Sequence, residues 1–204
     1  MTRPGTFERV YAAIRQQLRQ GAFRSGERLE PAILSDQLNA SVTPVRDALH
    51  RLTGERLVEA PRHEGFRVPL LTETMLRHLY AWHLDILLLA AARPQAERAD
   101  HVLRDQPPSR PDRLAAAFAE LAASSANPEH AAALRNAAER LEPYQRFEAE
   151  FLEAVETEID EIVAAIRAQD RARLRRGLVR YHRRRQRIVP GLLARLRPTA
   201  TDPP

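Results

Sequence analysis

The 204-residue sequence contains no cysteine and no lysine, and it has no long apolar segment. The absence of cysteine excludes disulfides, zinc–thiolate sites and cysteine nucleophiles. All 32 residues in the combined lysine and arginine count are arginines, a bias that a GC-rich coding sequence would also produce. The longest apolar run, residues 86–92, is too short to span a bilayer, and the amino terminus lacks the apolar core of a signal peptide. We therefore expect a cytoplasmic protein that does not enter a membrane.

The composition, 44% hydrophobic and 29% charged residues, is typical of a soluble protein with enough apolar material for real cores. A chain of this length suits one large or two small domains. The net charge of +5 and the isoelectric point near 10.5 are compatible with a polyanionic partner such as nucleic acid, but they do not require one.

The stretch LNASVTPVRDALHRL, residues 38–52, predicts a short turn followed by a helix with two different faces. Apolar residues at i, i+3, i+4 and i+7 form the packing face: Val45, Ala48, Leu49 and Leu52. The opposite face carries Thr43, Arg46, His50 and Arg51. Ser41 or Thr43 can cap the first turn, where Pro44 is tolerated. Hydroxyls and arginine at this end of a helix can bind phosphates and base edges, although an ordinary surface helix is the alternative.

The surrounding elements predict a winged helix-turn-helix. A first helix covers residues 6–20 and ends at Gly21, and a second begins at Pro31. Two short strands, 57–60 and 66–68, flank a turn in which Gly65 is free to take a positive φ. Three helices and a β-hairpin within about 65 residues are the outline of this fold.

The segment 21–68 resembles the DNA-binding domain of the GntR family of bacterial transcription regulators. The matching residues, in order, are Gly26, Glu27, Arg28, Leu29, Leu34, Leu38, Ser41, Thr43, Pro44, Val45, Arg46, Asp47, Ala48, Leu49, Leu52, Leu57, Val58, Gly65 and Val68. The sequence departs from the family at Val42, where relatives usually have arginine, and at Arg56, where glycine is common.

The resemblance implies that Arg46 reads the major groove of DNA while the wing around Gly65 lies against the minor groove or the backbone. For the charged wing residues, a solvated surface role is the alternative. At the position where relatives have arginine, Val42 is expected to contact a thymine methyl group rather than a hydrogen-bonding base edge. The predicted DNA-binding residues are Ser41, Val42, Thr43, Arg46, His50, Arg51, Arg62, His63, Gly65 and Arg67.

The remainder of the chain predicts an all-helical domain, so the fold class is mainly α. Thr72 can cap its first helix, and residues 94–111 form a proline-rich loop. Further helices are expected over residues 112–123, 129–141, 143–168, 171–187 and 190–196. We expect a DNA-binding domain at 1–70, a helical domain at 71–197 and a disordered tail at 198–204.

This second domain resembles the FCD effector domain of the FadR branch of the same family, through landmarks at residues 121–128 and 164–170. Many FCD domains hold a divalent metal, but the four ligand positions fall here on Leu114, Phe118, Ile159 and Tyr181. Because these side chains are poor or impossible metal ligands, we expect no metal and no other cofactor. His182 could supply a ligand only if the alignment shifted by one residue, and we expect it to be partly exposed.

The same alignment predicts an apolar effector pocket, in which Tyr80, His83 and Tyr181 supply polar groups beside the apolar side chains of Leu114, Phe118 and Ile159. A filled interior with no effector is the alternative. Nine arginines lie between residues 171 and 187, and their helical spacing predicts a solvated face that pairs with the acidic stretch 153–161. A direct contact with DNA is the alternative for this run.

The sequence has no phosphate-binding loop, nucleophile elbow or metal triad, which argues against an enzyme. We expect a homodimeric transcription regulator, a repressor by family resemblance, that binds a palindromic double-stranded operator and responds to an apolar small-molecule effector. The alternatives are a regulator without an effector and a protein-interaction module whose basic surface is incidental.

Overall fold

The computed structural model describes residues 5–92, 110–125 and 127–196, with the backbone only at 110–112. The described chain is mainly helical and has two hydrophobic cores, one in the amino-terminal and one in the carboxyl-terminal domain. The predicted tail 198–204 lies outside the described residues, as does the predicted loop 94–111 apart from residues 110 and 111.

Three helices and a two-stranded sheet form the amino-terminal domain. They are α1 (Thr6–Arg19), β1 (Arg28–Leu29), α2 (Pro31–Gln37), α3 (Val42–Gly54) and β2 (Phe66–Arg67). Helix α1 packs on α3 because its apolar residues repeat on one face, where Val10 and Ile14 are fully buried. Gly21, just after α1, takes a φ of +63°, which lets the chain turn away.

The wing differs from the predicted hairpin. Strand β2 pairs antiparallel with β1, in the register Arg28 to Arg67 and Leu29 to Phe66. The predicted strand 57–60 contributes a single bridge between Glu59 and Arg67, so this prediction is wrong for most of its length. The reason is that the amides of Leu57 and Val58 donate to the carbonyl of Leu52, at the end of α3.

Five helices form the carboxyl-terminal domain: α4 (Glu73–Ala92), α5 (Arg110–Ala123), α6 (Pro128–Gln145), α7 (Val155–Arg167) and α8 (Arg171–Leu196). A 3-10 turn, Glu148–Glu150, lies between α6 and α7. The Thr72 hydroxyl accepts from the Met75 amide at 3.2 Å, which confirms the predicted cap of α4. The long helices α4 and α8 pack along each other at the centre of the bundle.

Two predicted helix boundaries are wrong. Residues 143–168 are not one helix, because the chain leaves the helical path after Gln145 and Ala154 takes a φ of +53° before α7. In contrast, 171–187 and 190–196 are a single helix, with Pro190 inside it. Proline cannot donate to the carbonyl of Gln186 four residues earlier, and the guanidinium of Arg77 on α4 donates to that carbonyl instead.

The two domains contact each other mainly through α1 and α6. Arg15 forms a two-point ion pair with Glu139, in which Nε lies 2.9 Å from Oε2. The side-chain amide of Asn136 donates to the carbonyl of Glu55 at the end of α3, at 2.7 Å. These contacts fix how α3 is oriented on the bundle. In the part of the chain that the structure describes, no helix is long and apolar enough to cross a membrane.

Candidate nucleic-acid interface and buried polar core

Helix α3 buries one face completely and exposes the other. Its four apolar positions, Val45, Ala48, Leu49 and Leu52, have no exposed surface, which anchors the helix in the amino-terminal core. Ser41 stands at the N-cap with an extended backbone, yet its side chain makes no capping hydrogen bond. Its hydroxyl therefore remains available to an acceptor outside the domain.

The tight turn before α3 is held from α1. Asn39 has a φ of +47°, which gives the chain its sharp change of direction between α2 and α3. Arg9 donates to the carbonyl of Leu38 at 2.8 Å and to that of Asn39 at 3.1 Å. Arg9 therefore positions the amino-terminal end of α3. Sequence reasoning missed it because its partners are backbone atoms about thirty residues away.

The outward side of α3 presents Val42, Thr43 and Arg46 at its amino-terminal end, all exposed. Among the described residues, no ion pair or hydrogen bond engages the Arg46 side chain, so its guanidinium is free to meet a ligand. His50, one turn further on, packs edge-on against Phe66 with ring centroids 4.9 Å apart. This contact ties the wing to α3.

Arg51 has a different environment from Arg46. Its guanidinium lies 4.2 Å from the centroid of the Tyr11 ring, and its Nε lies 3.5 Å from Glu55. The Tyr11 hydroxyl donates to the same carboxylate at 2.7 Å. Burial and the Glu55 carboxylate raise the pKa of Tyr11. The geometry thus favours a role for Arg51 in holding α1 on α3 over the DNA contact predicted from the sequence.

The tip of the wing is exposed and carries one arginine, one histidine and one glutamate. Arg62, His63 and Gly65 lie on its surface, with φ values of +64° at His63 and +75° at Gly65. The guanidinium of Arg28 lies about 3.7 Å from where a side chain at Gly65 would begin. Arg28 is not among the DNA-binding residues predicted from the sequence.

Ion pairs within the wing determine which of its cationic side chains are available to bind DNA. Arg67 lies 3.0 Å from Glu59 and 3.3 Å from Glu64, and Arg28 lies 2.6 Å from Glu30. These two arginines are therefore already paired. Arg62 and His63 remain the cationic or ionisable groups at the tip for which the described contacts give no carboxylate partner.

The six predicted effector-pocket residues are all buried in the bundle: Tyr80, His83, Leu114, Phe118, Ile159 and Tyr181. Three of them form a chain of ring contacts. Phe118 lies 5.7 Å from His83 and 5.9 Å from Tyr181, measured between ring centroids. The fold therefore brings these distant positions together as a packed cluster.

His182, predicted to be partly exposed, has no exposed surface, so this prediction is wrong. Its Nδ1 lies 2.7 Å from the carbonyl of Leu178 and must donate to it. Its Nε2 then accepts from Nδ1 of His83 at 2.8 Å. Burial lowers the pKa of His83 to about 4 and that of His182 well below its ordinary value, so both rings are neutral. Within the described residues, no three His, Asp or Glu side chains are grouped as for a metal ion.

A buried ion network lies beside this histidine pair. Arg185, 1% exposed, donates to Glu148 at 2.8 Å and to Glu158 at 2.7 Å. Tyr80 donates to the other oxygen of Glu148 at 2.9 Å, and the guanidinium stacks on Tyr181. Burial raises the pKa of Glu148, while the nearby guanidinium opposes that shift. The second oxygen of Glu158 accepts no hydrogen bond, but it lies 3.1 Å from the guanidinium of Arg184, so this carboxylate faces two arginines.

The arginines of α8 lie on its solvent-facing side, except for one that points into the core. Arg180 pairs with Glu161 and Arg184 with Glu158, as predicted for the acidic stretch 153–161. Arg185 points into the core, which sequence reasoning missed. One signal was present, since residue 185 follows Tyr181 by four positions on the same helix face.

Three helices, a turn before the exposed third helix and a two-stranded wing define a winged helix-turn-helix DNA-binding domain. Residues 6–68 match the family model described as "Bacterial regulatory proteins, gntR family". The amino-terminal domain of this chain is therefore a helix-turn-helix domain of the GntR type, followed by a helical carboxyl-terminal domain.

Two curated relatives resemble part of the chain. One is the Nta operon transcriptional regulator of Aminobacter aminovorans, 38% identical over 87 residues, which are 41% of each chain. The other is the HTH-type transcriptional regulator McbR of Escherichia coli (strain K12), 33% identical over 79 residues, or 39% of this chain and 36% of McbR. The match thus spans about two fifths of the length of these relatives.

A solved structure resembles the chain over a greater length. It is described as a putative transcriptional regulator GntR from Rhodococcus sp. RHA1, with a TM-score of 0.71 and 18% identity. The similarity covers 92% of this chain and 99% of that one. At this identity the likeness establishes the two-domain fold and no more.

Proposed function

We propose that this protein is a transcription regulator that binds double-stranded DNA through α3 and its wing. The carrying observation is the exposed amino-terminal end of α3, where Arg46 has no partner among the described residues and lies in a domain of the GntR type. In this proposal Arg46 donates to base edges in the major groove, with Ser41 and Thr43 on nearby phosphates. The exposed methyl groups of Val42 contact a thymine methyl.

The wing contributes the second set of contacts. Arg62 and His63 lie at its exposed tip, and the Phe66–His50 contact keeps that tip at a fixed distance from α3. We assign Arg62 and His63 to the minor groove or the DNA backbone. Arg67 and Arg28 serve first in ion pairs with wing and strand carboxylates, and their net attraction for phosphate is correspondingly smaller.

The proposed assembly is a homodimer that represses from a palindromic operator. One α3 helix reads only a few base pairs, and a two-fold pair doubles the contacts. We place the domain boundary near residue 70 and assign dimerisation and effector sensing to the helical domain, in the manner of an FCD domain of the FadR type. An effector would shift a two-state equilibrium in the spacing of the two DNA-binding domains.

A second candidate, a regulator without an effector inside the bundle, is favoured by one observation. The polar groups at the predicted pocket bond to one another: His83 to His182, and Tyr80 and Arg185 to Glu148. A ligand entering there would have to break bonds that are already made in a buried setting. In this second candidate the side chains themselves fill the predicted pocket.

Selection of bound duplexes from a random library by the purified full chain tests the proposal. We expect enrichment of one two-fold symmetric motif, with affinity falling steeply as salt rises. Loss of enrichment in an Arg46→Ala variant that remains folded would support the assigned interface. Absence of any enriched motif at low salt would reject the regulator and favour the protein-interaction module.

A further inference from the structure

A cleft between the two domains is lined by apolar side chains from both. From the amino-terminal domain they are Leu18, Phe23, Leu57 and Val68, and from the helical domain Leu71 and Tyr144. The cleft is partly open to solvent and has a volume of about 70 Å³. A water needs roughly 10–15 Å³ by the same measure, so the cleft can hold a short chain or a small ring.

Two arginines face this cleft, Arg56 from the end of α3 and Arg140 from α6. Within the described residues, neither side chain has an ion pair or a hydrogen bond. Partial burial lowers the pKa of Arg140, and the nearby Arg56 guanidinium lowers it further. Arg140 is half-buried and Arg56 is exposed, so solvent weakens their mutual repulsion, and an anion bound between them would remove the rest of it.

The other polar groups in the cleft are already satisfied. Glu139 is engaged by Arg15 from α1, as described above, so it does not neutralise the arginine pair. Ser25 donates to the carbonyl of Pro69 at 3.0 Å, and its oxygen is a partner of the Tyr144 hydroxyl. Burial raises the pKa of Tyr144 to about 12, so this phenol stays neutral. The cleft therefore presents a net positive charge at one side of an apolar space.

Arg56 is the left-handed residue that ends α3, where its amide donates to the carbonyl of Thr53 and the amide of Leu57 donates to that of Leu52. Its φ of +60° is in the left-handed region, which glycine adopts freely and an arginine adopts only at a cost.

We propose that this interdomain cleft binds a small organic anion, an apolar body carrying a carboxylate, with the carboxylate between Arg56 and Arg140. Planar guanidinium groups suit a carboxylate because they donate two parallel hydrogen bonds. The apolar body lies against the side chains of both domains and so fixes their relative orientation. A changed orientation would alter DNA binding only if the proposed function holds. Binding of the carboxylate does not depend on that function.

The test uses the purified full chain and four probes: hexanoate and benzoate with their neutral amides, hexanamide and benzamide. Isothermal titration measures binding directly and needs no DNA. We expect at least one carboxylate to bind and its amide to bind about tenfold more weakly or not at all, since a charge-assisted hydrogen bond is lost. Failure of both carboxylates at millimolar concentration, or equal binding of acid and amide, overturns the proposal.

Two variants locate the site. Arg140→Met keeps the apolar stem and removes the charge, and Arg56→Gly removes the charge while relieving the left-handed backbone. Both should weaken carboxylate binding about tenfold or more, and the melting temperature of Arg56→Gly should be unchanged or raised. Arg135→Met is the matched control, because Arg135 is exposed on α6 and does not line the cleft. Unchanged binding in both cleft variants, or an equal loss in the control, rejects the site.

A separate measurement distinguishes failure of the cleft from failure of the DNA-binding proposal. The affinity for a selected duplex is measured without any probe, in wild type and in Arg140→Met. Duplex binding together with absent carboxylate binding would reject the cleft and leave the regulator standing. Carboxylate binding without duplex binding would support the cleft and reject the DNA-binding proposal.

Discussion

Arg185 is the residue whose environment departs furthest from its type. A fully buried guanidinium is tolerated because two carboxylates, Glu148 and Glu158, take its hydrogen bonds and Tyr181 covers its face. The three charged groups come from α8, the 3-10 turn and α7. They therefore join three separate segments of the bundle through one side chain.

Replacing Arg185 with methionine should cost about 3–5 kcal/mol in the free energy of unfolding, because two buried carboxylates lose their shared cation. Chemical denaturation measures the difference. Arg183→Met, an exposed position on the same helix, is the control and should change stability little. A loss at Arg185 no larger than at Arg183 would contradict the network.

The sequence predicted which side chains of α3 point into the core. It did not predict the orientation of side chains whose partners lie far away in the sequence. Val45, Leu49 and Leu52 follow the helical period and are buried as predicted. Arg185 and Arg51 resemble their exposed neighbours in the sequence. Their partners, a carboxylate 37 residues away and the ring of Tyr11, become apparent only when the helices are packed.

Among the elements, α8 is the one whose continuity depends on a partner. Pro190 removes the hydrogen-bond donor for the Gln186 carbonyl, and Arg77 from α4 takes that place. A helix that would otherwise kink or break thus continues to Leu196. This substitution of a side chain for a backbone donor explains why the predicted break at Pro190 is absent.

A double-mutant cycle tests this exchange of donors. Arg77→Met should cost about 1 kcal/mol of stability in the native background, since a partly buried hydrogen bond is lost. In a Pro190→Ala background the new amide donates to Gln186, and the same Arg77 change should cost clearly less. Equal costs in both backgrounds, measured by denaturation, would mean that Arg77 acts independently of the proline.

The sequence predicted which helices exist where their apolar pattern was long. It did not predict where several of them begin and end. The stripe of α1 and the cap at Thr72 were correct, because each depends on residues close together in sequence. Strand β1 was missed, because two residues carry no period and the pairing depends on β2 nearly forty positions later. The split between α6 and α7 was missed, because a local pattern does not show that Glu148 in the connecting 3-10 turn is buried.

At the scale of the whole molecule, acid stability should report on the buried histidine pair. The pKa of His83 is lowered from 6.5 to about 4 by burial, and that of His182 is lowered in the same direction. The unfolded chain therefore binds more protons than the folded one between these pH values, and stability is lost as pH falls from about 6.5 toward 4. Glu148 acts in the opposite sense, since its folded-state pKa is raised.

Comparison of the wild type with the double variant His83→Gln, His182→Gln separates these effects, because the carboxylates are common to both chains. The wild-type melting temperature should fall more steeply than that of the variant between pH 6.5 and pH 4. Parallel curves would show that the histidines do not titrate on unfolding.

The domains contact each other through a small set of side chains. Arg15 binds Glu139 and Asn136 binds the end of α3, so the bundle touches the proposed DNA-binding helix directly. The interdomain cleft lies beside these contacts. The net charge of the sequence is compatible with an anionic partner. The presence of Arg56 and Arg140 in one cleft was not predictable, because it depends on how the two domains meet.

The most direct test of the account compares Arg46→Ala with the wild type on a selected operator and on a duplex of scrambled sequence. Loss of a base-reading arginine should cost about 1–3 kcal/mol of binding on the operator and much less on the scrambled duplex. Arg135→Ala, exposed on α6, is the control for net charge. Equal losses on both duplexes would reduce Arg46 to a phosphate contact, and unchanged binding would contradict the assignment of α3 as the DNA-reading helix.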